Sequence, residues 1–192
     1  MAHTVPPPPA AALTSIARQI GERRAPANAL AAAPGAPLQI AESFPVWMLG
    51  LDALQGPPAR LRTLAKETGT WHHQITQGNQ AKEFARSVPG TAPTGADWRL
   101  VELGNSPTAG RIGETIDWID QYAPANPLVQ FLFIPAYYLI AFWLEQSDKD
   151  QIVVVDKPAR FENIHYLEIY DYERFRSLLL EVPRPQGVPP PG

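Results

Sequence analysis

The chain has 192 residues, 22 of them proline, with 45% hydrophobic and 18% charged residues, no cysteine and a net charge of −3. That length suits one ordinary domain with extensions and is too short for two full-sized ones. The lack of cysteine excludes a disulfide framework, a thiolate zinc site, an iron–sulfur cluster and a thiol nucleophile, and it fits a reducing compartment such as the cytoplasm. An acidic balance argues against nucleic acid as a partner, because that binding needs a basic surface.

Seven prolines fall in residues 1–37 and five in residues 183–192, leaving ten for the long stretch between. The two ends therefore read as proline-rich tails around a single α/β domain over residues 38–182. Within the first tail, Leu13, Ile16, Ala17 and Ile20 recur at helical spacing beside Arg18, Arg23 and Arg24. That pattern fits a short docking helix, a transit peptide or a marginal helix in a linker. No apolar run follows a basic start near Met1, so no secretory signal is expected.

In the first half of the domain, Leu38–Phe44 alternates as a strand does. Pro58–Thr68 reads as a helix stopped by Gly69, Trp71–Ile75 as a strand, and Asn79–Val88 as a helix on Ala81, Phe84, Ala85 and Val88. On a strand, His72 and His73 point to opposite faces and cannot share a metal unaided. His72 is the candidate general base or ligand at a cleft. The plain alternative is one half-buried and one surface histidine.

The second half is more regular. Trp98–Leu103 reads as a strand, Gly104-Asn105-Ser106 as a turn, and Ser106-Pro107 as a helix start. Ile112, Ile116, Ile119 and Tyr122 then form one helical face, with Glu114, Asp117 and Gln121 opposite. Leu128–Ile134 is expected as a buried strand, Ala136–Gln146 as a helix apolar all round, and Ile152–Asp156 as another buried strand. Tyr166–Tyr170 follows as a half-exposed strand, and Asp171 opens a last helix on Phe175, Leu178, Leu179 and Val182. Strand alternating with helix predicts a short, mostly parallel sheet with strands near 98–103, 129–134 and 152–156 and right-handed crossover helices. Residues 128–144 carry no charge, but they are short for a membrane span and Pro135 interrupts them, so a membrane location is not expected.

Ligands of such a sheet bind where its strands end. There Gly104, Asn105 and Ser106 would offer helix amides to an anion, Tyr137 and Lys157 would line the ligand, and Asp156 would act as base or ribose partner. Ordinary capping and turn chemistry explains the same residues. No glycine-rich phosphate loop, nucleophile elbow or metal motif occurs, so neither cofactor nor metal is expected. Two functions remain. The first is an interaction or assembly module with a protein partner, suggested by the tails, the acidic face of Glu114, Asp117 and Asp120, and the tyrosine-rich C-terminal segment. The alternative is a small enzyme or nucleotide and anion binder, with Asp156 and His72 as its catalytic groups.

Overall fold

The computed structural model describes residues 3–28, 38–77, 80–91, 97–104, 107–123 and 126–183. In chain order the elements are α1 (Ala10–Asn28), β1 (Leu38–Met48), α2 (Leu51–Gln55), α3 (Leu61–Leu64), β2 (Lys66–Gln77), β3 (Gln80–Pro89) and β4 (Trp98–Gly104). They continue with α4 (Pro107–Tyr122), β5 (Leu128–Ile134), β6 (Leu139–Glu145), β7 (Asp150–Asp156), β8 (Ile169–Asp171) and α5 (Tyr172–Glu181). The eight strands follow the order β4-β3-β2-β1-β5-β6-β7-β8. The sheet is mixed and mostly antiparallel. Its parallel strand pair is β1 with β5, where Val46, Trp47 and Met48 oppose Phe131, Leu132 and Phe133.

The expected short parallel sheet with crossover helices is thus overturned. Strands do occur at 98–104, 128–134 and 150–156, but Ala136–Gln146 is no crossover helix. Its place is taken by β6, which lies between β5 and β7 and is antiparallel to both. The reason is burial. Leu139, Ala141, Phe142, Trp143 and Leu144 are all fully buried on a strand covered on both faces, and such a strand leaves no alternation to read. Of the helix expected over Asn79–Val88, Gln80–Val88 likewise belongs to β3, and Asn79 lies outside the described residues. Of Pro58–Thr68 only the four residues of α3 are α-helical, and Gly69 sits inside β2 at φ 70°.

The chain divides into two compact units. One comprises Met1–Thr4, Val46–Thr68 and Asp117–Gly192; the other comprises Val5–Pro45 and Gly69–Ile116. β1 and β2 change unit at Pro45, which has no amide to donate, and at Gly69 with its left-handed backbone.

In the first unit, α2, α3 and α5 supply residues to a core with Trp47, Trp143, Phe161, Tyr170 and Phe175. His3 and Thr4 dock here as well. The Thr4 amide donates to the Pro127 carbonyl at 3.0 Å, and the Val129 amide donates to the Thr4 carbonyl at 2.8 Å. Among the described residues, no helix is long and apolar enough to cross a membrane, and residues 128–144 form two strands joined by a turn.

In the second unit, α1 packs Ile16 and Ile20 against Ile75, Ala85 and Leu100, while Ala12 joins Trp71 and Trp98. Residues 10–28 of the expected tail therefore carry a helix with a buried face, Ala12-Ile16-Ile20, and Ala17 is exposed. The polar flank of α1 meets β4. Ser15 Oγ and Gln19 Nε2 both donate to the Trp98 carbonyl, Gln19 Oε1 accepts from the Leu100 amide, and Arg23 donates to the Leu100 carbonyl. Residues 29–37 and 184–192 lie outside the described residues.

Candidate functional site

The β5–β6 hairpin turns through a 3-10 turn at Pro135–Tyr137 and a left-handed residue, Tyr138 (φ 53°, ψ 41°). The Tyr138 amide donates to the Pro135 carbonyl at 3.1 Å, closing the turn. β7 runs back beside β6 with Asp156 opposite Ile140, so Tyr137, Asp156 and Lys157 come to one end of the first unit's strands. Tyr137 is a packing residue there, buried and set edge-on to Phe161 at 5.5 Å. Lys157 Nζ donates to the Phe161 carbonyl at 2.6 Å and stands 5.2 Å from the centre of the Tyr166 ring. Arg160 donates to the Tyr137 carbonyl. What this rim presents outward is Tyr138, Tyr166 and Met48, which are 58%, 44% and 37% exposed. Leu167, next to Tyr166, is also a non-glycine residue at positive φ, 56°.

The remaining expected site residues are elsewhere. Gly104 and His72 belong to the second unit, and Asn105 and Ser106 lie outside the described residues. β4 pairs antiparallel with β3, and β7 antiparallel with β6 and β8, so the parallel edge on which an anion site was expected does not form. Gly104 has a packing role. A Cβ there would stand 2.9 Å from the Phe84 ring.

His72 and His73 do take opposite faces, and both are buried. His73 bridges two serines, with Nδ1 2.8 Å from Ser43 Oγ and Nε2 2.7 Å from Ser87 Oγ. Burial lowers its pKa to about 4, so the ring is neutral near pH 7 and donates to one serine while accepting from the other. His72 stacks on Phe84 at 5.4 Å and 20°. Burial first, then the charges of Arg86 and His73, bring its pKa to about 3. Gln74, on the His72 face, reaches α4 by donating to the Ala109 carbonyl at 2.9 Å.

A further polar constellation escaped the sequence reading. Asp150 is buried, and its carboxylate accepts from Arg60 Nε (2.7 Å), the Leu61 amide (2.9 Å) and Trp143 Nε1 (2.9 Å). Burial alone would raise the Asp150 pKa, but these donors and the Arg60 charge outweigh it and hold the carboxyl below its ordinary value. The same bond raises the pKa of Arg60. Nothing local announces this group, because Arg60 and Asp150 are far apart in the chain. Among the described residues no cluster of three His, Asp or Glu side chains is placed to hold a metal ion.

No protein-family model and no curated protein matches this chain.

Proposed function

We propose that this chain is a protein-interaction module of a reducing compartment such as the cytoplasm, docking its partner on the rim formed by Tyr138, Tyr166 and Met48. The left-handed geometry of Tyr138 carries the reading. A bulky residue in that conformation costs about 1–2 kcal/mol, which glycine or asparagine would avoid while making the same turn. The tyrosine ring, 58% exposed, contributes little to the core in return. A side chain that the turn does not need is held there for what it touches outside the fold. Tyrosine suits such a contact, since it combines apolar area with a polar tip. The cysteine-free sequence supports the compartment.

The test compares the wild type with Tyr138→Gly. The glycine variant should melt a few degrees higher, roughly the shift of ~1 kcal/mol, yet lose proteins captured by the wild type in a quantitative pull-down. Val101→Thr, at a residue 53% exposed in the second unit, should capture them as the wild type does. Equal capture by wild type and Tyr138→Gly would overturn the reading.

A further inference from the structure

Arg62, the second residue of α3, lays its guanidinium across two indoles. Its Cζ is 4.7 Å from the centre of the Trp47 ring and 5.2 Å from that of Trp143. The two rings meet edge to face, 5.4 Å apart at 90°. The guanidinium also forks onto one carboxylate, with Nε donating to Glu145 Oε1 at 3.0 Å and Nη2 donating to Oε2. Two perpendicular aromatic walls and a carboxylate floor make the surroundings a weakly hydrated cation prefers.

One wall and the floor are held by bonds that do not involve Arg62. Trp143 Nε1 is bonded to Asp150, and Glu145 Oε2 also accepts from Gln130 Nε2 at 2.6 Å. α3 is anchored through Arg60 and the Leu61 amide on Asp150. The Trp47 Nε1 donor is buried and has no hydrogen-bond partner among the described residues, so one wall carries a donor the fold leaves unused. The occupant is held more loosely than its cage. The Arg62 side chain is 47% exposed, so its charge is partly screened by solvent.

We propose that Trp47, Trp143 and Glu145 form a binding cage for an arginine side chain of a partner polypeptide, which Arg62 fills in the free protein and yields on binding. The two-point fork on Glu145 selects guanidinium over the ammonium of lysine, which cannot bridge both oxygens in one plane. Glu145 lies at the end of β6 opposite Leu139 and the Tyr138 turn, so this site does not depend on the rim proposed above.

The experiment titrates full-length wild type and Arg62→Ala with the blocked peptide acetyl-Gly-Arg-Gly-amide, its lysine counterpart and tetramethylammonium, following tryptophan fluorescence. Arg62→Ala should bind the arginine peptide about ten-fold more tightly than wild type and prefer it to both other cations. Adding Glu145→Gln should erase that preference. In wild type, the Arg62 Nε–H resonance should shift as peptide is added. The proposal fails if folded Arg62→Ala shows no response to the arginine peptide. It also fails if the wild-type Arg62 resonance stays fixed at peptide concentrations about a hundred-fold above those that saturate the variant. Should Arg62→Ala not fold, Arg62→Gln keeps the aliphatic stem and the same outcomes decide.

Discussion

Phe84 covers Gly104: the two residues are paired across β3 and β4, and the aromatic ring occupies the space where any side chain on residue 104 would begin. The same ring stacks on His72, so one contact on the edge strand supports a buried histidine on β2. Gly104→Ala should therefore push Phe84 off its rotamer and cost about 1–3 kcal/mol, the usual penalty for overpacking a filled site. Chemical denaturation checks this, and a denaturation midpoint equal to the wild type's would show that the ring moves aside freely.

The buried histidines give stability a dependence on acid. His73 has a folded pKa of about 4 against an ordinary value of 6.5, so between these the unfolded chain binds more protons than the folded one. The contribution of neutral His73 is whole above pH 6.5 and is lost as the pH falls from there to about 4. His72, with a folded value of about 3, extends the loss further into acid. Melting temperature should decline steadily over this window. His73→Gln should flatten its upper part, at the expense of stability near pH 7 if one serine bond is lost. A profile unchanged by His73→Gln would place the acid sensitivity elsewhere.

Asp150 titrates in the same direction but lower. Its folded pKa is depressed, so its contribution is present above the ordinary carboxylate value and is lost as the pH falls through the folded one. Asp150→Ala leaves the Leu61 amide and Trp143 Nε1 without their acceptor and removes the counter-charge of Arg60. The expected loss is about 3 kcal/mol, at the lower end for a broken buried pair because Arg60 is partly in water. Arg60→Ala should cost less. If the two variants are equally stable, the ion pair and not the buried acceptor is what matters.

Ser15, Gln19 and Arg23 occupy, at intervals of one helical turn, the hydrogen-bonding groups that β4 turns outward. They do for this edge what a ninth strand would. Gln19→Ala removes a donor and an acceptor together and should destabilise by about 1–2 kcal/mol. It should also raise the tendency to self-associate, since an uncovered edge is a template for another strand. Light scattering at increasing concentration reads the second effect, and a strictly monomeric variant would show that α1's apolar packing alone protects β4.

Much of the second half was legible. α4 begins at Pro107 and buries Ile112, Ile116 and Ile119 as their spacing predicts, although Tyr122 is exposed. β5 and β7 fall on the apolar runs that announced them. Two failures were strands read as helices. In β3, Phe84 and Ala85 are both buried although they point to opposite faces, so the two-residue alternation that marks a strand is missing. Phe84, Ala85 and Val88 then imitate a helical stripe by accident of composition. In β6 the same double burial hid the strand, and with it went the direction of the sheet. The rim was half legible. Proximity of Tyr137, Asp156 and Lys157 was expected from a parallel edge and arises instead from a hairpin. The arginine cage was invisible, because Trp47, Arg62 and Trp143 come from three elements with no fixed spacing between them.

The parallel pairing of β1 with β5 sets a schedule for synthesis. The strands from β5 to β8 are sequential neighbours and can zip up as they emerge, but Val46 must wait for Phe131, which leaves the ribosome 85 residues later. At translation rates of about 5–20 residues per second, Val46, Trp47 and Met48 stay without that neighbour for roughly 4–17 s. Through that interval Val46–Met48 is an apolar strand segment with one edge open to any other strand it meets.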